Sequence, residues 1–194
     1  MYLNFKNTGL LEVITGPMFS GKTEELIKRI KILEIAGIKT LVIKPKFDTR
    51  FSKSKIVSRT GSSIEAINID KSKDILKFWN PSFQAVAIDE TNFFDKGLLK
   101  VIDKLILQNI RVICSGLDMD FLRRPFGIMP QILSIADKID KLKAVCVICK
   151  NSAGFSFRKI VSNEINLLGN NEYEARCRIC HIKGEFEKRN NNSQ

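Results

Sequence analysis

The sequence predicts an α/β protein with a mainly parallel sheet and helices on both faces, followed by a small cysteine-containing domain. Short, continuous apolar segments alternate with longer segments of helical periodicity, which is typical of strands covered on both faces. Near residue 143 this alternation stops and two Cys-x-x-Cys pairs follow. The 194 residues, 44% of them hydrophobic, suffice for one large domain and a small one.

Four apolar segments are the predicted strands, and they occupy residues 10–14, 40–43, 85–88 and 110–114. None of them shows the alternation of polar and apolar residues that a half-exposed strand requires. Strands of this kind pair in parallel through right-handed helical crossovers. We therefore expect one sheet that is buried on both faces.

The first predicted helix covers residues 23–37. Leu26, Ile30 and Leu33 fall on one face at helical spacing, and Gly37 is placed to end the helix. A second helix is predicted within residues 96–109, with an inner face formed by Leu98, Val101, Ile102 and Leu105.

The predicted domains are residues 1–142, an α/β domain, and residues 143–187, a cysteine-containing domain. Residues 188–194 are polar and are predicted to be a disordered tail. No segment has the length and apolar character of a membrane helix, and residues 1–9 do not resemble a signal peptide. We therefore expect a cytoplasmic protein with no membrane partner.

The formal net charge of +11 favours contact with polyanions, including nucleotide phosphates and nucleic acid. The lysines are scattered along the chain, so a lysine-rich solvated surface explains the charge equally well. The charge alone does not predict a nucleic-acid partner.

A phosphate-binding loop is predicted between the first strand and the first helix. It has a glycine, four residues and then Gly-Lys-Thr, formed by Gly16, Pro17, Met18, Phe19, Ser20, Gly21, Lys22 and Thr23. Its backbone amides and the positive end of the helix dipole would face phosphate oxygens. Lys22 would reach the β- and γ-phosphates, and the Thr23 hydroxyl would ligate Mg²⁺.

Two carboxylates follow the strand predicted at residues 85–88. Asp89 is placed to supply the second Mg²⁺ ligand that such a loop requires. Glu90 would then lie beside the γ-phosphate, where a base for an attacking hydroxyl or water is needed. A solvated residue at the end of a strand is an equally good interpretation of Glu90 from spacing alone.

The cysteine pairs predict a structural zinc site formed by Cys146, Cys149, Cys177 and Cys180. Four thiolates arranged tetrahedrally around Zn²⁺ can stabilise a segment that is too small to fold on its own core. His181 could replace Cys180, but the second pair already completes the ligand set, so we interpret His181 as a bystander. Cys114 lies in a predicted strand and is expected to be a buried apolar side chain.

The loop, the Asp-Glu pair and the cysteine pairs, in this order, closely resemble the cytosolic, zinc-containing (type II) thymidine kinases. The resemblance covers about residues 9–183 and rests on the segments GPMFSGKTEEL, LVIKPKFDTR, AIDETNFF, GLDMDFLRRPFG, LKAVCVIC and YEARCRIC. It implies a P-loop NTPase (RecA-like) fold with a zinc-binding domain that carries a lasso loop. It also implies transfer of the γ-phosphoryl group of ATP to the 5′-hydroxyl of thymidine, a homotetramer, and feedback inhibition by dTTP.

The resemblance also implies roles for individual residues. Glu90 is the general base for the 5′-hydroxyl, Lys22 holds the donor phosphates, and Arg50 offsets transition-state charge. Thr23 and Asp89 hold Mg²⁺. The remaining implied ATP or Mg²⁺ contacts are made by the loop at residues 16–23, Asp48 and Asn92.

The thymidine pocket is implied to contain residues from two regions. The first set would otherwise be interpreted as core, and it consists of Met18, Phe93, Leu117, Phe121 and Phe126. The second set belongs to the lasso loop and consists of Ser156, Leu167, Leu168, Gly169 and Tyr173. In the lasso loop, backbone groups would satisfy the polar edge of thymine, so that cytosine leaves buried groups unpaired.

Several positions depart from the family pattern and concern fine substrate selectivity. Thr91-Asn92 replaces Gly-Gln, Ser156 stands where threonine is frequent, and Arg59 stands where many relatives carry histidine. Residues 167–169 read Leu-Leu-Gly where relatives often have paired glycines.

Two other classes of protein share part of this pattern. DETN after a strand resembles the Walker B sequence of a nucleic-acid-stimulated NTPase, but such motors need two α/β domains or a ring of subunits. A GTP switch protein would carry an Asn-Lys-x-Asp signature, which this sequence lacks.

Overall fold

The computed structural model describes residues 9–47, 54–160, 169 and 171–191. In the larger part of the chain the strands are β1 (Leu10–Thr15), β2 (Thr40–Pro45), β3 (Lys55–Val57), β4 (Ser63–Glu65), β5 (Ile67–Ile69), β6 (Ala85–Ile88), β7 (Arg111–Gly116) and β8 (Lys138–Lys141). The helices are α1 (Lys22–Ile35), α2 (Ile75–Phe78), α3 (Leu98–Leu107) and α4 (Met129–Ile135). Single 3₁₀ turns cover Ser72–Asp74 and Thr91–Phe93.

Six of these strands form one sheet in the order β5-β2-β6-β7-β1-β8, and every pairing in it is parallel. The predicted mainly parallel sheet is thus confirmed. In such a sheet the carboxyl ends of neighbouring strands lie along one edge, where α/β proteins bind their ligands. The loops after β1, β6 and β7 therefore lie close together.

Helices cover both faces of the sheet. Successive strand residues pack into two separate hydrophobic clusters: Val13 joins one and Ile14 the other. Helix α1 packs into the cluster that contains Ile14, whereas α2, α3 and α4 pack into the cluster that contains Val13. The layered architecture predicted from the sequence is confirmed.

The two predicted helices form at the expected positions. Gly37 has a φ of 74° and ends α1: its N–H donates to the Glu34 carbonyl at 2.9 Å, and the Ile38 N–H donates to the Leu33 carbonyl at 2.9 Å. The predicted inner face of α3 is buried throughout, at Leu98, Val101, Ile102 and Leu105.

A buried ion-pair network joins α1 to the sheet. Glu12 in β1 is 1% exposed, and it pairs with Arg29 of α1 at 2.8 Å and with Arg111 of β7. Arg29 also reaches Glu25 at 3.0 Å and Asp140 at 2.7 Å. The pKa of Arg29 is raised: burial opposes its charge, but its carboxylate partners outweigh that effect.

We expect Glu12→Gln to lower the free energy of unfolding by about 3 kcal/mol, because the largely buried guanidinium groups of Arg29 and Arg111 lose one of their anionic partners. Chemical denaturation monitored by circular dichroism measures this loss. The control is Lys28→Gln, which removes the exposed partner of Glu25 and should change stability by less than about 1 kcal/mol. Equal effects of the two substitutions would mean that the network contributes no more than a surface pair.

The smaller part of the chain contains β9 (Ala144–Val145), β10 (Ser152–Ala153), β11 (Phe155–Arg158), β12 (Tyr173–Arg176) and α5 (Arg178–Asn191). Strands β9 and β10 pair antiparallel, and so do β11 and β12. A small hydrophobic cluster of Ala144, Cys146, Ala153 and Ala175 lies between them. The domain boundary near residue 142 stays a prediction.

The predicted disordered tail is wrong for residues 188–191, which continue helix α5. Sequence polarity suggested disorder, but the aliphatic stem of a lysine can pack while its charge is satisfied. The Lys188 Nζ lies 3.9 Å from the centroid of the Phe157 ring and donates to the Arg158 carbonyl. Residues 192–194 lie outside the described residues.

Among the described helices, none combines the length and apolar character needed to cross a membrane.

Candidate active site

The loop between β1 and α1 is held in a conformation that its glycines permit. Gly16 has a φ of 141°, and a Cβ there would lie 2.4 Å from the Leu142 carbonyl oxygen. Gly21 has a φ of 83°, in the region that glycine adopts without strain. Phe19 also has a positive φ, 68°, and its ring is 37% exposed. The backbone thus turns tightly directly before the start of α1.

A cavity of about 440 Å³ adjoins this loop. Residues of the loop and of the ends of β6 and β7 line it, among them Lys22, Thr23, Asp89, Glu90 and Leu117. The Lys22 Nζ donates to the Pro17 carbonyl at 2.8 Å, so its ammonium is folded against the loop. The structure thus brings the predicted lysine, hydroxyl and carboxylate groups to one cavity.

The two predicted carboxylates differ in their surroundings. Asp89 follows β6 directly, is 6% exposed, and its N–H donates to the Ile43 carbonyl at 2.9 Å. Glu90 is half-buried and has a φ of 47°, a left-handed conformation that is unusual for a residue with a side chain. Strained backbone of this kind is concentrated at functional sites. This geometry favours the functional interpretation of Glu90 over that of a solvated strand end.

Asn92 does not line the cavity. It is 3% exposed, and its Oδ1 accepts the N–H of Leu117 at 2.9 Å. The side chain therefore braces the turn at Thr91–Phe93 against the end of β7. Its predicted contact with nucleotide or Mg²⁺ stays a prediction.

The β3–β4 hairpin forms a wall of the cavity that was not predicted from the sequence. The Glu24 Oε1 accepts hydrogen bonds from the hydroxyls of Thr60 at 2.5 Å and Ser62 at 3.4 Å. Hydrogen bonds from Ser58 and Thr60 lower the pKa of Glu24. The Arg59 guanidinium lies 3.8 Å from the centroid of the Phe19 ring. These contacts attach the turn of the hairpin to Phe19 of the loop and to Glu24 in the first turn of α1.

The residues implied for the thymidine pocket are only partly brought together. Met18 and Leu117 line the cavity, whereas the Phe93 and Phe126 rings pack against each other outside it, with centroids 5.6 Å apart. Phe121 lies between Leu117 and Phe126 in the chain and contacts the cysteine-containing part of the molecule.

Ser156 and Tyr173, which the resemblance assigns to the lasso loop, are both buried and lie on paired strands. Ser156 in β11 is 5% exposed, and its Oγ accepts the N–H of Met18 at 2.9 Å, which joins β11 to the loop after β1. Tyr173 begins β12 and is buried opposite Arg158. Gly169 is described, but no contact assigns it a role. The predictions for Asp48, Arg50, Leu167 and Leu168 lie outside the described residues.

The four cysteine sulfurs lie within 4.8 Å of one another, and Cys149 and Cys177 approach to 3.6 Å. Burial opposes ionisation of Cys146, but neighbouring backbone N–H groups donate to its sulfur and lower its pKa to about 6. A hydrogen bond with Cys177 raises the pKa of Cys180 to about 12. Four convergent thiols, one of which ionises readily, are a donor set that suits Zn²⁺.

Cys114 and His181 lie outside the group of four converging sulfurs. Cys114 is fully buried in β7, and burial raises its pKa to about 12, so it stays a neutral thiol. His181 is also fully buried, and its Nε2 donates to the Phe121 carbonyl at 2.9 Å. Burial lowers the pKa of His181.

Comparison with known proteins gives one consistent result. A family model described as thymidine kinase matches residues 9–181. The thymidine kinase of Mycoplasma mobile is 55% identical over 189 residues, which cover 97% of this chain and 94% of that protein. The thymidine kinase of Metamycoplasma arthritidis is 52% identical over 190 residues, 97% of each chain. That of Mesomycoplasma hyopneumoniae strain 7448 is 50% identical over 183 residues, which cover 93% of this chain and 99% of that protein.

Proposed function

This chain belongs to the thymidine kinase family, and from that premise we propose that it transfers the γ-phosphoryl group of ATP to the 5′-hydroxyl of thymidine, with deoxyuridine as a possible second acceptor. The product, dTMP, is a precursor for DNA synthesis. The observation that supports the proposal most directly is the cavity in which Lys22, Asp89 and Glu90 meet. Such a cavity offers a cation for phosphate, a carboxylate for a metal ion and a base for a hydroxyl.

The phosphates of ATP bind at the loop of residues 16–23, which acts as a P-loop. Its backbone amides and the N-terminus of α1 supply partial positive charge. Lys22 moves from the Pro17 carbonyl to the β- and γ-phosphates, which are the stronger acceptors because they are charged. Arg50 and Asp48 complete the phosphate site.

Thr23 and Asp89 fit a Mg²⁺ ion, because both line the cavity and both offer the oxygen ligands that this ion prefers. When bound, Mg²⁺ neutralises charge on the β- and γ-phosphates of the donor. Asp89 is almost fully buried, so its carboxylate is held in place without further ordering.

Glu90 accepts the proton of the thymidine 5′-hydroxyl as that oxygen attacks the γ-phosphorus. The bond between the γ-phosphorus and the oxygen bridging to the β-phosphate breaks, and ADP leaves with that electron pair. Little covalent chemistry is required of the protein, so positioning and charge stabilisation account for most of the rate.

Thymidine binds between the cavity and the cysteine-containing part of the chain. Met18 and Leu117 contribute apolar surface, and the lasso loop between β11 and β12 closes over the base. Ser156 and Tyr173 lie at the two ends of that loop, on paired strands. Backbone groups of the lasso loop satisfy the polar edge of thymine, so cytosine binds less well.

Zn²⁺ held by the four cysteines has a structural role. Zn²⁺ bound there would join the segment after β9 to the segment after β12, and these two segments flank β11 and the lasso loop in the chain. The protein would form a homotetramer that is inhibited by dTTP, as the family resemblance implies. The thiol-containing cluster suits the reducing cytoplasm.

The test is incubation of the protein with γ-labelled ATP and Mg²⁺, in the presence of either thymidine or single-stranded DNA. We expect label to appear in dTMP, whereas DNA should not stimulate release of labelled phosphate. DNA-stimulated hydrolysis without labelled dTMP would instead identify a nucleic-acid-dependent NTPase.

Substitutions at the two ends of the reacting pair should each weaken the binding of a different substrate. We expect Lys22→Ala to raise the KM for ATP about tenfold or more, because a charge-assisted contact to phosphate is lost. Tyr173→Ala should raise the KM for thymidine by a similar factor and leave the KM for ATP almost unchanged. Steady-state kinetics with each substrate varied in turn measures both effects.

Tyr173→Phe serves as the control for loss of the ring, since it removes only the hydroxyl. If Tyr173→Ala left thymidine saturation unchanged, β12 would not belong to the thymidine site.

A further inference from the structure

The segment from Leu117 to Gly127 folds into a compact turn after β7. The Asp120 N–H donates to the Arg124 carbonyl at 2.9 Å, and the Phe126 N–H donates to the Asp118 carbonyl at 3.1 Å. The Asp120 side chain accepts the N–H of Leu122 at 2.8 Å and the N–H of Arg124 at 2.9 Å. These bonds hold the turn together internally, with Phe121 at its tip.

Phe121 is held at two points, and both contacts come from the cysteine-containing part of the chain. The Arg158 guanidinium of β11 lies 3.4 Å from the centroid of the Phe121 ring. The His181 Nε2 of α5 donates to the Phe121 carbonyl at 2.9 Å. Because a carbonyl only accepts, Nε2 of His181 carries a proton.

The positions of these two residues connect the cysteine cluster to the turn. His181 directly follows Cys180, and its N–H donates to the Cys177 carbonyl at 2.9 Å. Arg158 lies two residues after Ser156, whose Oγ accepts the N–H of Met18. Both residues are at most 1% exposed, so neither contact can be replaced by water without reorganisation.

Packing alone would explain a buried histidine. It does not explain why the single histidine of the sequence lies next to a cysteine pair and also bonds to the backbone of a turn 60 residues away. We infer that His181 and Arg158 are positioning residues for the nucleoside site: they hold Phe121, and thereby connect the state of the cysteine cluster to thymidine binding. This inference rests on the proposed function and on the role in the thymidine pocket that the family resemblance implies for Phe121. It adds a connection that does not pass through the lasso loop.

The first test compares His181→Leu, which removes the donor, with His181→Gln, which keeps an amide donor near the position of Nε2. We expect His181→Leu to raise the KM for thymidine about tenfold, while kcat and the KM for ATP change by less than about twofold. His181→Gln should recover most of the thymidine affinity. Metal analysis of both variants should show the wild-type content, and hydrogen exchange of the peptide covering residues 117–127 should be faster only in His181→Leu.

The second test separates the ring contact from the carbonyl contact. Arg158→Met keeps the aliphatic stem but removes the guanidinium, and we expect it to raise the KM for thymidine. In a Phe121→Leu background Arg158→Met should have no further effect, because the ring is already absent. His181→Leu should still act in that background, because the backbone carbonyl remains. If His181→Leu does not fold, the comparison of Arg158→Met with and without Phe121→Leu still tests the inference.

Three outcomes would overturn the inference. The first is an unchanged KM for thymidine in folded, metal-containing His181→Leu, and the second is a parallel loss for thymidine, ATP and kcat, which indicates general destabilisation. The third is full additivity of Arg158→Met and Phe121→Leu. Absence of thymidine phosphorylation in the wild-type protein would instead overturn the proposed function.

Discussion

We expect Glu90→Gln to lower kcat by about 100-fold or more, the usual scale for the loss of a general base. The substitution preserves the size and hydrogen-bonding shape of the side chain but removes the proton acceptor. The half-buried position beside Lys22 and Asp89 leaves room for a substrate hydroxyl in the same cavity. Turnover at saturating ATP and thymidine measures the effect, and binding of an ATP analogue should be unchanged.

The matched control is Glu34→Gln, which removes the same charge from an exposed position on α1. It should leave kcat within about twofold of the wild-type value. Near-normal turnover in Glu90→Gln would show that phosphoryl transfer here does not need this base. The left-handed backbone of Glu90 would then require another explanation.

Cys177→Ser should remove the metal from the cysteine cluster and lower thymidine affinity at least about tenfold, with much less effect on an ATP analogue. Cys177 follows β12 directly and lies 3.6 Å, sulfur to sulfur, from Cys149. Without metal, the segments that carry Ser156 and Tyr173 are no longer joined at the cluster. Ordering them on binding then costs about 1 kcal/mol or more per backbone residue.

Paired titrations of the folded variant with thymidine and with the ATP analogue, alongside metal analysis, measure this separation. Cys114→Ala is the control, because it removes a buried thiol that is outside the cluster. It should keep the wild-type metal content and thymidine affinity. Loss of metal from Cys177→Ser with unchanged thymidine affinity would make the cluster a remote structural element.

The sequence predicted the elements whose environment is uniform along their length. Strands β1, β2, β6 and β7 are buried on both faces, so their apolar character is continuous and easy to recognise. Strand β8 reads KIDK and lies at the edge of the sheet, where polar residues are tolerated, so no apolar segment marks it. Helix α5 is equally polar, and its order depends on tertiary contacts, among them those of Lys188 with β11.

In the candidate site, too, features with a local sequence pattern were predicted, whereas features that depend on contacts between distant segments were not. The glycine spacing of residues 16–23 and the Asp89-Glu90 pair are local patterns, and the structure brings both to one cavity. The β3–β4 hairpin was missed, although the turn around Gly61 between two short β-branched segments was a weak signal for it. The bond from His181 to Phe121 spans 60 residues and leaves no local pattern.

In the proposed function, the hydrogen bond from the Met18 N–H to Ser156 Oγ would couple the binding of ATP to the binding of thymidine. It joins the loop that is proposed to hold the donor to the strand that leads into the loop proposed to cover the acceptor. Any ligand that strengthens or breaks this bond changes the free energy of the other site. Thermodynamic linkage then requires that the factor by which ATP changes thymidine affinity equal the factor by which thymidine changes ATP affinity. The order in which the substrates bind thus affects the rate of assembly of the ternary complex, but not its cooperativity.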